Sequence, residues 1–101
     1  MKGIKKEGSM IDEYFNIYTE HVKEYGEKTV ILMMVGSFYE IYGEIDNNKN
    51  ISGSKIVEIS KICDLSIAQK IASRNIQGTH VMAGFTYTKI DKYLIMLISR
   101  L

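Results

Sequence analysis

The feature that most constrains the fold is an apolar run followed directly by a turn and an aromatic segment. Residues 29–35 have the length and the β-branched start of a buried strand, and Gly36 begins the turn that ends it. Residues 38–42 then have the pattern of a second strand. Because side chains alternate along a strand, we expect Phe38, Glu40 and Tyr42 on one face. An aromatic ring beside a carboxylate can stack on a flat ring and accept a hydrogen bond from its edge.

Length and composition indicate one small globular domain with a modest core. The chain has 101 residues, of which 46% are hydrophobic and 25% charged, and a net charge of +1. Such a nearly neutral domain would bind nucleic acid weakly by itself. The single cysteine, Cys63, excludes an internal disulfide, and the sequence start does not resemble a signal peptide, so we expect an intracellular, reducing compartment. The apolar runs are too short to span a membrane.

Hydrophobic periodicity predicts three helices and two further strands. Residues 1–8 have the composition of a flexible arm, and Ser9 is a candidate N-cap for a helix over residues 10–25. A second helix would begin after Ser52 or Ser54, and a third after a capping box of Thr88 and Asp91. Strands are expected at residues 65–71 and 79–83, and Gly84 permits a tight bend or a close backbone approach. The expected apolar helix faces are Ile11, Tyr14, Phe15, Tyr18, Val22 and Tyr25; Ile56, Ile59, Ile62 and Cys63; and Ile90, Tyr93, Leu94, Leu97, Ile98 and Leu101.

A metal-dependent nuclease is one alternative that the acidic residues leave open. It would use Glu40, Glu44 and Asp46, but these lie along one strand and its loop, whereas metal-assisted hydrolysis needs converging carboxylates. Asn48 extends this spacing to a faint calcium-loop pattern that lacks the glycine and the final glutamate. His80 has no second ligand at metal-site spacing. No glycine-rich phosphate loop occurs, so ATP would not bind by that route.

Several segments together resemble the N-terminal mismatch-recognition domain of the MutS family of DNA mismatch-repair proteins. Gly-Ser-Phe-Tyr-Glu-Ile-Tyr at residues 36–42 is similar to the family's Gly-Asp-Phe-Tyr-Glu segment. Cys-Asp-Leu-Ser-Ile at residues 63–67 and Met-Ala-Gly-Phe-Thr-Tyr at residues 82–87, followed by Tyr-Leu at residues 93–94, resemble later family segments. The chain departs from the family pattern at Met34, Ser37, Thr86 and Thr88, and has extra residues between Glu40 and Asp64.

The resemblance implies a fold and a set of site residues. The fold would be an α/β domain with a mixed β-sheet flanked by about three helices, spanning residues 9–101 and truncated at its C-terminal end. Phe38 would insert from the minor groove and stack on a mispaired base, while Glu40 accepts a hydrogen bond from that base. Because phosphates repel a nearby carboxylate, a protonated form or a base donor must compensate. Candidate contacts to the DNA backbone are Lys70, Arg74, Lys5 and Lys6.

The resemblance also implies partners and cofactors. The domain itself would be no enzyme and would hold no cofactor or metal, while ATP and magnesium would bind elsewhere in a larger, dimeric parent protein. Its partner would be double-stranded DNA with mispairs or small loops, in a compartment that contains DNA. The alternative is a structural or protein-docking module of the same fold with only non-specific backbone contacts to DNA. The departures at Met34, Ser37 and Thr88 and the insertion favour that alternative.

Overall fold

A computed structural model describes residues 7–70 and 80–101, with the side chains of residues 10–69 and 80–101. In chain order the elements are α1 (Glu7–Tyr25), β1 (Met33–Val35), β2 (Phe38–Ile45), β3 (Ile51–Ser52), α2 (Ile56–Cys63), β4 (Ala68–Lys70), β5 (His80–Thr86), a 3-10 turn (Tyr87–Lys89) and α3 (Ile90–Arg100).

The five strands form one sheet. Its order is β1-β2-β5-β4, and β3 pairs with the far end of β2. The α/β fold class with a sheet flanked by three helices is confirmed. We expected a mixed sheet, but every pairing within the described ranges is antiparallel. Tight hairpins join antiparallel neighbours, and the two-residue turn after β1 is of that kind.

Helices cover both faces of the sheet. On one face, Tyr14 of α1 packs edge-on against Tyr42 of β2, with ring centroids 5.1 Å apart. On the other face, Phe85 of β5 packs against Tyr93 of α3, with ring centroids 4.5 Å apart. The buried core draws on both layers and consists of Ile11, Tyr14, Ile41, Tyr42, Ile56, Ile59, Cys63, Val81, Ala83, Phe85, Tyr93 and Leu97. Full burial of one large apolar side chain contributes about 1.5–3 kcal/mol, so these residues provide the main driving force for folding.

Glycine permits the close packing of α2 on the sheet. A Cβ atom on Gly43 of β2 would lie 2.7 Å from Cγ2 of Ile56 and 2.8 Å from the carbonyl oxygen of Ser52. Neither contact is sterically allowed, so only glycine lets α2 and β3 approach the strand this closely. Gly43 and Glu44 were expected in a loop, but β2 continues through them to Ile45.

In the N-terminal half, α1 and β1 begin at residues other than those predicted. Helix α1 already begins at Glu7, so Ser9 lies inside the helix, while residues 1–6 of the predicted arm lie outside the described residues. Only the last three residues of the run 29–35 pair as β1. The preceding residues make other hydrogen bonds: Thr29 donates its hydroxyl to the Gly26 carbonyl at 2.7 Å, and the Ile31 carbonyl accepts the Tyr14 hydroxyl at 2.8 Å.

The predicted helix caps at α2 and α3 are also wrong. Ser54 is buried and donates its hydroxyl to the Tyr42 carbonyl, while Ser52 belongs to β3. Lys55, with φ +61°, occupies the N-cap position of α2 without a side-chain cap. Lys89 occupies the N-cap position of α3 and makes no side-chain cap hydrogen bond. Thr88 and Asp91 therefore form no capping box.

The strand and helix-face predictions hold in part. The strand expected at residues 65–71 is Ala68–Lys70, and that expected at 79–83 extends over His80–Thr86. Of the expected stripe on α3, Tyr93 and Leu97 are buried, whereas Leu94 and Ile98 are exposed. Tyr25 at the end of α1 is exposed as well.

Candidate nucleic-acid interface

The candidate probe residue Phe38 begins β2, directly after the turn. Val35 and Phe38 are paired across this two-residue turn, and Gly36 has φ +61°. A positive φ at the first turn position only is typical of a type II′ hairpin turn, which requires glycine there. The backbone amide of Tyr87 donates to the Ser37 carbonyl at 2.8 Å. The turn that carries Phe38 is therefore tied to the segment that follows β5.

Phe38 is not a core residue. Its side chain is 47% exposed, while the neighbouring aromatic residues Tyr39 and Tyr42 are more deeply buried. Alternation along β2 places Phe38, Glu40 and Tyr42 on the face that α1 partly covers. The ring of Phe38 thus lies at the uncovered end of that face, where it can contact a partner without unfolding the domain.

Glu40 lies two residues further along the same face and is only 8% exposed. The hydroxyl of Tyr42 donates a hydrogen bond to its Oε1 atom. Glu40 is paired with Gly84 of β5, and a Cβ atom on Gly84 would lie 3.4 Å from Cγ of Glu40 and 2.6 Å from the Tyr39 carbonyl oxygen. Gly84 therefore permits the close approach of two backbones, one of its two predicted roles.

Tyr14 and Tyr42 form a buried pair of rings between this face and α1. The rings of Tyr14 and Tyr42 are nearly perpendicular, at 88°. The hydroxyl of Tyr14 donates to the Ile31 carbonyl at 2.8 Å, and burial raises the pKa of Tyr14 to about 12. Strand alternation predicts that Tyr42 shares a face with Phe38 and Glu40, but it does not predict the contact of Tyr42 with Glu40.

Of the four candidate contacts to the DNA backbone, only Lys70 has a described backbone position. Lys70 ends β4 and is paired with His80, which is paired with Glu44 near the other end of β2. Glu44 lies six positions after Phe38 along β2, which corresponds to about 20 Å. The side chain of Lys70 lies outside the described residues, as do Arg74, Lys5 and Lys6 entirely. The sheet therefore brings Phe38 and Glu40 together and places the backbone of Lys70 far from them.

The acidic residues of the nuclease alternative have separate roles. The Oδ1 atom of Asp46 accepts the backbone amides of Asn48 and Asn50, both at 2.8 Å, and closes the β2–β3 hairpin. These bonds lower the pKa of Asp46, the amide of Asn50 contributing most. Within residues 7–70 and 80–101, no three His, Cys, Asp or Glu side chains are grouped so that they could hold a metal ion.

His80 and Cys63 lie near or within the packed interior. The ring of His80 lies 6.1 Å from that of Phe15. Cys63 is buried on α2, and burial raises the pKa of its thiol, which disfavours the reactive thiolate. Both arrangements are those of structural residues.

Comparisons with known proteins leave the chain without a family assignment. No model of a protein family matches it, and no curated protein matches it either. No helix in the described part of the chain is long and apolar enough to cross a membrane.

Proposed function

We propose that this domain recognises mismatched DNA by inserting Phe38 at a mispair, as the N-terminal part of a larger MutS-like mismatch-repair protein. The observation that carries the proposal is the contrast between two neighbours on one face. Phe38 is half exposed at the end of β2, whereas Glu40 beside it is buried and hydrogen bonded. The resemblance of residues 36–42, 63–67 and 82–87 to the MutS family indicates that the partner is mismatched DNA.

The proposed mechanism is physical and involves no covalent step. Insertion of an aromatic wedge unstacks a base step at a cost of a few kcal/mol and bends the duplex. A mispair is already weakened, so the deformation costs less there than at a correct pair, and this difference is the source of discrimination. Glu40 accepts a hydrogen bond from the displaced base.

The Phe38 turn suits such a wedge because it is held from two sides. Pairing with Val35 and Thr86 fixes the backbone of Phe38, and the Tyr87–Ser37 hydrogen bond fixes the turn before it. A rigid support lets the ring transmit force to the base stack with little loss of conformational entropy on binding. The net charge of +1 indicates weak binding by the isolated domain, so further DNA contacts belong to the rest of the parent.

The test is an NMR titration of the 101-residue chain at low salt with two short duplexes that differ by one mispair. We expect the Phe38 ring and the Glu40 amide to shift with the mismatched duplex only, and Phe38→Ala to abolish the difference. Tyr25→Ala is the matched control, because it removes another exposed aromatic ring, at the end of α1. Equal responses to both duplexes, unchanged by Phe38→Ala, would overturn the proposal.

The second candidate is the structural or docking module with only non-specific backbone contacts to DNA. The observation that favours it is the apolar outer side of α3, where Ile95 and Ile98 are 66% and 82% exposed. Ile98 also lines a groove of about 350 Å³ beside Val30 and Leu32. In the same titration this candidate predicts no mismatch preference and no dependence on Phe38.

A further inference from the structure

We infer that Tyr42 is a positioning residue for Glu40: its buried hydroxyl fixes the carboxylate for the hydrogen bond to the displaced base. This inference rests on the proposed function and adds a residue to the recognition site. The observation behind it is the hydrogen bond from the Tyr42 hydroxyl to Oε1 of Glu40, between two side chains on the same face of one strand.

The hydroxyl of Tyr42 has a fixed position. Tyr42 is fully buried, and its ring packs edge-on against that of Tyr14 at 5.1 Å. The hydroxyl of Tyr14 is bonded to the Ile31 carbonyl, outside the contact between Tyr42 and Glu40. Edge-to-face packing of buried rings leaves few alternative rotamers, and Tyr42 therefore presents its proton at one place.

The carboxylate needs such a partner. A glutamate side chain loses rotamer freedom when it is ordered, and without Tyr42 this loss would occur during DNA binding. Because of the bond to Tyr42, the Glu40 side chain is already ordered in the folded domain before DNA binds. This is the usual benefit of preorganisation. It engages Oε1 only, and a carboxylate has acceptor capacity at both oxygens, so Glu40 can still accept a bond from a base.

The shape of the site does not require the hydroxyl. A phenylalanine at position 42 would retain the ring packing against Tyr14 and would lack the hydroxyl that donates to the carboxylate. The same reasoning gives a matched control, since Tyr14 is an equally buried tyrosine in the same ring pair whose hydroxyl is bonded to a backbone carbonyl instead. Tyr42→Phe and Tyr14→Phe each remove one buried hydroxyl, but only the first removes a partner of Glu40.

The experiment measures the ratio of dissociation constants for matched and mismatched duplexes in wild type, Tyr42→Phe and Tyr14→Phe. Loss of one hydrogen bond in the site should lower the ratio about 3- to 10-fold in Tyr42→Phe and leave it unchanged in Tyr14→Phe. In a Glu40→Ala background, Tyr42→Phe should have no further effect, because the two residues act through one contact. The carbon-13 shift of the Glu40 carboxyl in the free protein should move in Tyr42→Phe only.

The outcomes separate this inference from the function it rests on. If wild type prefers the mismatch and Glu40→Ala removes the preference, but Tyr42→Phe keeps both the preference and the carboxyl shift, the positioning role is overturned and the proposed function stands. If wild type shows no preference, both are overturned. Should Tyr42→Phe fail to fold, Glu40→Asp breaks the same bond from the other side, and a full mismatch preference in that variant would equally overturn the inference.

Discussion

Gly84 lies opposite Glu40 in the pairing of β2 with β5, where the backbones approach too closely for any side chain on β5. A Cβ atom at this position would lie 2.6 Å from the Tyr39 carbonyl oxygen, a contact that real Cβ atoms essentially never make. The close pairing of β2 with β5, next to the candidate site, therefore depends on the absence of a side chain at position 84.

Gly84→Ala should lower the free energy of unfolding by about 1–3 kcal/mol, the usual cost of forcing a group into a packed interior. Urea unfolding followed by circular dichroism measures it. Thr19→Ala on the exposed side of α1 is the control and should change stability by less than about 0.5 kcal/mol. Unchanged stability in Gly84→Ala would show that β2 and β5 are further apart than the structure places them.

The β1–β2 hairpin was predicted from the sequence because its signals are local. The apolar run, the Gly36 turn and the alternation after Phe38 each depend on a few neighbouring residues, and the structure has the turn and strand β2 there. The placement of Phe38 and Glu40 on one face follows from the same alternation. The early end assigned to β2 arose because Gly43 has weak strand propensity, whereas its packing against Ile56 requires glycine.

Features set by contacts distant in sequence were missed. Ser54 was expected to cap α2 because serine favours that position, but its hydroxyl bonds the Tyr42 carbonyl twelve residues earlier. Ile31 was expected in a strand, but its carbonyl accepts the hydroxyl of Tyr14, seventeen residues away. The Tyr42–Glu40 bond is close in sequence, yet periodicity reports faces and not hydrogen bonds. Local propensity cannot report any of these partners.

The stability of the domain should fall at alkaline pH because of Tyr14. Burial raises its pKa from 10.0 to about 12. The stabilising contribution of the protonated form is therefore complete below pH 10 and is lost as the pH rises to 12, where the loss approaches about 3 kcal/mol at 1.36 kcal/mol per pKa unit.

Tyr14→Phe isolates this effect. At pH 7 the variant should be less stable by about 0.5–1.5 kcal/mol, because it lacks the hydrogen bond to the Ile31 carbonyl. Between pH 10 and 12 the order should reverse, since the variant has no hydroxyl to ionise at this position. Parallel urea titrations across this range measure the difference, and a constant difference between the two proteins would contradict the burial of Tyr14.

Asp46 should make the β2–β3 hairpin sensitive to acid. Its pKa is lowered mainly by the amide of Asn50 and also by that of Asn48. The contribution of the carboxylate is therefore present above its ordinary pKa of 3.8 and is lost as the pH falls through the lower folded value. Asp46→Ala should increase amide hydrogen exchange at Asn48 and Asn50 at neutral pH. Asp46→Asn keeps an Oδ1 acceptor for both amides, so it should retain their protection from exchange without the acid sensitivity. If Asp46→Ala protected the two amides as well as wild type does, the hydrogen bonds to Asp46 in this turn would be ruled out.

The two sides of α3 should differ sharply in their effect on stability. Leu97 is 6% exposed and faces the core, so Leu97→Ala should lower the free energy of unfolding by about 2–5 kcal/mol, since it leaves a cavity. Ile98, the next residue, is 82% exposed, and Ile98→Ala should cost less than about 0.5 kcal/mol. Urea unfolding at two protein concentrations measures both. A large loss in Ile98→Ala that grows with protein concentration would show instead that another copy of the chain covers this side, because only association makes stability depend on concentration.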